Sequence, residues 1–205
     1  MSELPTPPIT VDISFDDGWM DQLKWSRFMN AAGLAGTFYV CPGLLGTPGY
    51  LTEQHLAMVA ELGHRIGNHT WEHESPGRSG GVKTVKSCIR ARKWLDDKGY
   101  DGHILALTCG SRGGRWGVEE VRTLRADGFV GFRDVRFKSE LPASFAPAVA
   151  ALELADLMSL VPGFNAYYFH NNHNTDDDQL MKFLGAIAAW DAAGAVRVVL
   201  ADGVE

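Results

Sequence analysis

The sequence has few cysteines, no cluster of basic residues and no long hydrophobic run. Its three cysteines, Cys41, Cys88 and Cys109, are scattered and form no Cys-x-x-Cys pair, so they predict neither a disulfide framework nor a zinc knuckle. A formal net charge of −6 argues against nucleic acid or an anionic membrane as the main partner, because phosphate binding uses clustered lysines and arginines. No uninterrupted apolar segment approaches the roughly 18 residues that a membrane-spanning helix needs.

Residues 1–8 lack the charged start and the apolar stretch of a signal peptide, and we treat them as an N-terminal arm. As written, the sequence predicts a cytoplasmic protein, whereas removal of a leader would make it a secreted one. Residues 9–205 are expected to form one domain, because the length and a hydrophobic content of 45% fit a single core. The sequence does not determine the oligomeric state.

Strand-like and helix-like stretches alternate along the chain without repeats, which is typical of an α/β fold. The predicted strands span residues 9–15, 36–40, 65–68, 103–108, 129–132, 158–161, 167–170 and 196–200. The predicted helices span residues 21–32, 52–62, 82–98, 118–127 and 176–193, and several of them end at a glycine. This pattern alone admits a doubly wound sheet as readily as a barrel.

Two adjacent acids, Asp16 and Asp17, follow the first predicted strand and precede Gly18. They are therefore expected at the carboxyl end of a strand, where α/β folds keep their chemistry. Neighbouring acids on an extended backbone point in different directions, so one can bind a cation while the other handles a proton. An ordinary polar turn is the alternative interpretation.

Two histidines, His69 and His73, follow the third predicted strand. With one of the carboxylates they would make a two-histidine, one-carboxylate set that leaves a position for water or substrate. Such a set suits Zn²⁺ or a first-row relative. A surface pair of histidines is the alternative, but the occurrence of both motifs in this order favours the metal site.

The two motifs resemble those of the polysaccharide deacetylase family, also called the NodB-homology or carbohydrate esterase 4 group. The family's Thr-Phe-Asp-Asp-Gly appears as Ser-Phe-Asp-Asp-Gly at residues 14–18, and its His-Ser/Thr-x-x-His appears as His-Thr-Trp-Glu-His at residues 69–73. The resemblance implies a single deacetylase domain with the distorted (β/α)7 barrel fold. It also implies an acetylated oligosaccharide or polysaccharide as the substrate.

The resemblance further implies a role for each of these residues. Asp16 would be the general base, and the metal ligands would be Asp17, His69 and His73. The cofactor would be Zn²⁺, with Co²⁺, Ni²⁺ and Mn²⁺ as alternatives.

The third motif of the family is poorly preserved. Its Arg-x-Pro-x-Gly or Tyr-Pro-x-Gly loop is replaced by Cys-Gly-Ser-Arg-Gly-Gly-Arg-Trp-Gly at residues 109–117, which lack the proline. A glycine such as Gly114 could still offer a backbone N–H to an oxyanion. Trp116 could stack on a sugar face, and packing in the core is the alternative for this side chain.

The fourth motif is replaced by Gly-Phe-Arg-Asp-Val, which makes Arg133 and Asp134 candidates. We expect Arg133 to take over the arginine role of the altered loop, with Arg112 and Arg115 as competitors. A guanidinium near Asp16 would hold it ionised and oriented, and a carboxylate near a histidine would raise the pKa of that histidine. An exposed ion pair without consequence is the alternative.

The fifth motif is an aromatic, strand-like run at residues 166–169 that ends in His170, as the family's Leu-x-His strand does. A protonated His170 could donate a proton to the leaving amine or alkoxide, so it is the candidate general acid. Acids after the first strand, histidines after the third and a histidine after a late strand must meet at one face, which favours the barrel.

The motifs themselves predict metal-assisted hydrolysis, and the resemblance implies a hydrolase that removes N- or O-linked acetyl groups from a carbohydrate. Relatives in the same superfamily hydrolyse small cyclic amides such as allantoin or cyclic imides, which gives a second possible activity. A catalytically impaired carbohydrate-binding domain is a third reading, because the third and fourth motifs depart from the family pattern.

Overall fold

The computed structural model describes residues 9–134, 163–170 and 177–200. The strands are β1 (Ile9–Phe15), β2 (Thr37–Val40), β3 (Arg65–Asn68), β4 (Ile104–Ala106), β5 (Gly131–Arg133), β6 (Gly163–Phe169) and β7 (Arg197–Val198). The α-helices are α1 (Gln22–Ala31), α2 (Glu53–Glu61), α3 (Pro76–Ser79), α4 (Gly81–Asp97), α5 (Gly110–Gly113), α6 (Val118–Ala126) and α7 (Asp177–Ala192). A short 3₁₀ helix spans Pro42–Leu44.

The seven strands form one sheet in which β5, β4, β3, β2, β1 and β6 lie side by side, and β7 also pairs with β1. All of these pairings are parallel. Strand β1 pairs with β6 along its whole length, while its other edge is shared between β2 near its carboxyl end and β7 near its amino end. This is the distorted (β/α)7 barrel of the prediction, and its parallel strands bring their carboxyl ends to one face.

The core is built around β1, which is buried on both faces. Phe15 stacks on Phe38 of β2 with the ring centroids 4.9 Å apart, and it also contacts Phe169 of β6 at 5.5 Å. A buried phenylalanine of this kind contributes about 3–5 kcal/mol, judged by its replacement with alanine. The strand that ends in the two acids is therefore anchored by packing on both sides.

The sequence located most elements to within a few residues. Strands β1 and β3 have the predicted limits, whereas β6 begins at Gly163, earlier than the predicted residue 167. The four-residue helices α3 and α5 were not predicted. The predicted strand at 158–161 and the arm at 1–8 lie outside the described residues. Within those residues, the helices are too short or too polar to traverse a bilayer.

Candidate active site

Three candidate metal ligands come together at the carboxyl ends of β1 and β3. Asp17 follows β1, and its Oδ1 lies 3.3 Å from Nε2 of His69 and 3.3 Å from Nε2 of His73, both of which follow β3. The potential ligand atoms all lie within 4.8 Å of one another. The residues that the sequence singled out for one cation thus form one cluster.

The Asp17 carboxylate tests whether this cluster fits a cation. Its Oδ1 is buried and has no hydrogen-bond partner among the described residues. A buried carboxylate oxygen without a partner is costly, and such groups are normally paired or bound to a metal. Because the same atom faces two imidazole nitrogens, the three side chains fit a divalent cation.

His69 is held in the tautomer that a metal ligand requires. Its Nδ1 lies 2.9 Å from the carbonyl oxygen of Ala106 at the end of β4. Because a carbonyl oxygen only accepts hydrogen bonds, Nδ1 carries the proton and Nε2 keeps its lone pair toward Asp17. The ring is almost fully buried, whereas His73 is 27% exposed and leaves the cluster open on that side.

The backbone around the cluster adopts unusual conformations. Asp17, Thr70 and His73 have positive φ values of 76°, 67° and 61°. Non-glycine residues rarely adopt this region, and such strain is typical of functional sites. Gly18 also has a positive φ of 83°, and a Cβ atom on it would lie 3.3 Å from Cγ1 of Val40. The turn after Asp17 therefore needs glycine at this position.

The side chain of Asn68, at the end of β3, hydrogen-bonds to the backbone of the loop that carries His69 and His73. Its Oδ1 accepts from the backbone N–H of Thr70 at 2.9 Å. Its Nδ2 donates to the carbonyl oxygens of Cys88 at 3.0 Å and Gly102 at 3.3 Å. The side chain is fully buried, so these bonds fix the strained turn between His69 and His73.

Burial and mutual charge shift the pKa values of Asp17, His69 and His73. Burial alone would raise the pKa of Asp17, but the close approach of His69 and the charges of both histidines hold this pKa well below its usual value. Burial and the neighbouring His69 lower the pKa of His73. Burial alone would lower the pKa of His69, but Asp16 and Asp17 outweigh it and raise this pKa.

Asp16, the residue before Asp17, pairs with Arg133 at the end of β5. Nη2 of Arg133 donates to Oδ1 of Asp16, and both side chains are 3% exposed. The guanidinium lies against two aromatic rings, with Cζ 4.4 Å from the ring centroid of Tyr168 and 5.3 Å from that of Tyr39. Burial alone would lower the pKa of Arg133, but Asp16 raises it. The competing Arg112 and Arg115 are exposed.

His170 follows β6, the direct neighbour of β1. The backbone N–H of Asp16 donates to the carbonyl oxygen of Phe169 at 2.8 Å, which places the start of the two loops side by side. The imidazole of His170 is partly exposed and meets Tyr168 edge to face, with ring centroids 5.3 Å apart. Asp16 and His170 therefore lie at the same face of the sheet.

The remaining predicted site residues have other surroundings. Oδ1 of Asp134 accepts from the backbone N–H of Ser111 at 2.8 Å, so this buried carboxylate supports the glycine-rich loop. Trp116 is 9% exposed, packs in a hydrophobic cluster and donates from Nε1 to the carbonyl oxygen of Thr108. The N–H of Gly114 donates to Gly110, which removes it as an oxyanion donor. The structure brings neither Trp116 nor Gly114 to an open groove.

Sequence reasoning missed one direct contact to the metal cluster. Nε1 of Trp19 donates to Oδ2 of Asp17 at 2.9 Å. Trp19 stands two residues after Asp17, and the left-handed turn at Asp17 brings the indole back to the carboxylate.

The first half of the chain matches a known protein family. The model of the polysaccharide deacetylase family matches residues 3–105. A comparison with curated protein sequences finds no significant match.

Solved structures share the fold at low sequence identity. A family 4 carbohydrate esterase from Streptomyces lividans, in complex with acetate, has a TM-score of 0.64 at 15% identity, covering 91% of this chain and 90% of its own. The peptidoglycan deacetylase PdaC from Bacillus subtilis has a TM-score of 0.62 at 15% identity, covering 95% of this chain and 89% of its own. A family 4 pseudoenzyme from Bacillus anthracis has a TM-score of 0.66 at 13% identity, covering 95% and 64%.

The family match covers half of the chain, including both motifs that form the cluster of Asp17, His69 and His73. The fold agrees with that of the solved family 4 structures. The chain belongs to the polysaccharide deacetylase family.

Proposed function

We propose that this protein is a metal-dependent deacetylase that removes an acetyl group from a carbohydrate. The main support is that two adjacent carboxylates have different partners. Asp17 lies against His69 and His73, whereas Asp16 pairs with Arg133. A hydrolase that uses a cation and a general base needs these two environments side by side.

The proposed ligands of the cation are Asp17, His69 and His73. A carboxylate and two neutral imidazoles suit Zn²⁺, and Co²⁺, Ni²⁺ or Mn²⁺ could replace it. When bound, such a cation would polarise a carbonyl group and make a water molecule more acidic.

Asp16 is the proposed general base. Arg133 donates to Oδ1 of Asp16, so Oδ2 is the oxygen proposed to accept the proton from the attacking water. Arg133 is itself fixed between Tyr39 and Tyr168. Its role would be to keep the carboxylate in one orientation, because a misplaced group can lose about 10²-fold in rate.

His170 is the proposed general acid. The proposal is supported by its location directly after β6, whose last residue pairs with Phe15 next to Asp16, and by its partial exposure, which allows it to exchange protons with solvent. It would protonate the leaving nitrogen of an N-acetyl group or the leaving oxygen of an O-acetyl group. Such a step is generally worth about 10² to 10⁴ in rate.

The substrate class follows from the family and is tested by acetate release. Zn²⁺- or Co²⁺-loaded protein would be assayed on N-acetylglucosamine oligomers, peptidoglycan fragments and acetylated xylan. Peptidoglycan fragments come first, because the similar PdaC from Bacillus subtilis is a peptidoglycan deacetylase. We expect acetate from at least one of these substrates, and none after His69→Ala, which removes a buried member of the ligand set.

Two other outcomes would replace the proposal. Hydrolysis of allantoin or a cyclic imide without acetate release would identify a small-amide hydrolase. Saturable glycan binding with metal bound and no product would identify a binding domain; the similar Bacillus anthracis protein is a family 4 pseudoenzyme.

A further inference from the structure

We infer that Trp19 is a positioning residue that makes Asp17 a one-oxygen ligand. The inference rests on the proposed function, because it takes the cluster of Asp17, His69 and His73 to be a cation site. It concerns the other side of the carboxylate, the side that faces away from the histidines.

The two oxygens of Asp17 have different partners. Oδ2 accepts a hydrogen bond of 2.9 Å from Nε1 of Trp19. Oδ1 lies 3.3 Å from each of the two histidine nitrogens and has no hydrogen-bond donor among the described residues. An indole has a single N–H and no acceptor, so it can satisfy Oδ2 without competing for a cation. The carboxylate cannot rotate or offer both oxygens without losing this bond.

The indole is fixed by a second segment of the chain. Trp19 and Tyr50 form an isolated antiparallel bridge, and their rings stack with centroids 4.2 Å apart and an interplanar angle of 23°. The backbone N–H of Met20 donates to Gly49 at 2.8 Å, and that of Leu51 donates to Gly18 at 2.9 Å. Residues 49–51 therefore hold the turn that carries the indole, so the orientation of its N–H is fixed before a ligand binds.

The competing role for Trp19 is to stack on a sugar ring. Stacking uses the faces of the indole, whereas positioning uses its edge N–H. Trp19→Phe keeps an aromatic face over Tyr50 but removes the N–H, so it separates the two roles. Trp94→Phe is the matched control, because Trp94 lies on α4, partly buried beside Lys98.

The test is calorimetric titration of the wild type and both variants with Co²⁺, together with the visible spectrum of bound Co²⁺. We expect Trp19→Phe to bind about 10- to 100-fold more weakly, as for other groups that orient a metal ligand, with an altered spectrum. Trp94→Phe should match the wild type, and Trp19→His, which keeps a ring N–H, should recover part of the affinity.

Equal affinity and an unchanged spectrum for Trp19→Phe would overturn the inference and leave the proposed function intact. A higher KM for a glycan with normal Co²⁺ binding would do the same and would assign the ring to stacking. A wild-type protein that binds no Co²⁺ would overturn the proposed function itself, so the two failures can be told apart.

Discussion

Arg133 donates a hydrogen bond to Asp16 across 117 residues of sequence, from the end of β5 to the end of β1. Arg133 is the last residue of β5 and belongs to the segment that replaces the family's fourth motif. The guanidinium beside the proposed base therefore comes from the end of β5 and not from the glycine-rich loop that replaces the third motif.

Arg133→Ala is expected to harm both stability and turnover. It leaves the Asp16 carboxylate buried without its ion-pair partner, and breaking such a pair costs about 3–5 kcal/mol. Turnover should fall by about 10²-fold because the carboxylate loses its orientation. Urea denaturation and acetate release measure the two effects.

Arg112→Ala provides the control for Arg133→Ala, because Arg112 is exposed. It should change the free energy of unfolding by no more than about 0.5 kcal/mol and leave turnover near that of the wild type. If Arg112→Ala reduces turnover as much as Arg133→Ala does, the assignment of the arginine role to Arg133 is wrong.

His170→Ala should lower turnover by about 10² to 10⁴ without weakening the metal site, because His170 does not belong to the ligand cluster. The measurement is kcat for acetate release together with the bound-metal content. His103→Ala is the matched control, since this partly exposed histidine caps the carbonyl oxygen of Gly128. Unchanged kcat in His170→Ala would remove it as the general acid.

Asn68→Ala should destabilise the protein and weaken metal binding together. The change leaves the Thr70 N–H and two carbonyl oxygens without their partner in a buried site, at about 1–3 kcal/mol for each unsatisfied group. Asn30→Ala is the control, because this exposed amide makes one hydrogen bond, to Leu62. A stable Asn68→Ala protein with normal metal affinity would show that the turn between His69 and His73 keeps its conformation without the Asn68 side chain.

The stability of the protein should fall in acid partly through His64, which packs between α1 and the start of β2. Its Nε2 lies 2.8 Å from the carbonyl oxygen of Ser26, and its Nδ1 accepts from the N–H of Gly36 at 3.3 Å. Burial lowers the pKa of His64 in the folded state below the ordinary histidine value of about 6.5. Below that value the unfolded chain binds more protons, so stability is lost as the pH falls.

Urea denaturation at about pH 7.5 and about pH 5 measures this effect, on either side of the histidine range. The wild type should lose more of its free energy of unfolding between the two conditions than His64→Gln does. The comparison with the variant cancels the other titrating groups. Equal losses in the two proteins would show that His64 does not contribute to acid sensitivity.

The sequence predicted those parts of the fold in which composition changes sharply. The apolar run that stops at Asp16 located β1, and the glycines after the helices located their ends. Helices α3 and α5 have four residues each, too few for a hydrophobic period to appear. Strand β6 starts at Gly163, which does not favour a strand by itself but pairs in register with Ile9.

The candidate site was predicted as a set of residues but not as a set of contacts. The order of the motifs indicates that Asp17, His69 and His73 meet, because parallel strands share one carboxyl-end face. The hydrogen bond from Trp19 depends on the left-handed turn at Asp17, which the sequence does not reveal.

Trp116 was a candidate for stacking on a sugar, but its side chain is buried. Its glycine-rich loop suggested an exposed ring, but Gly114 allows the loop to fold tightly and the ring to turn inward. A Cβ on Gly114 would lie 2.3 Å from the carbonyl oxygen of Thr108 and 2.8 Å from the Trp116 ring. The glycine therefore permits core packing.

The most direct test of the account is a paired measurement on Asp16→Asn, namely its bound-metal stoichiometry and its rate of acetate release. Asparagine keeps an oxygen that can accept from Arg133, and it leaves the cluster of Asp17, His69 and His73 untouched. We predict wild-type metal content and loss of acetate release, because only the proton acceptor is removed. An Asp16→Asn protein that still releases acetate at the wild-type rate would contradict the account.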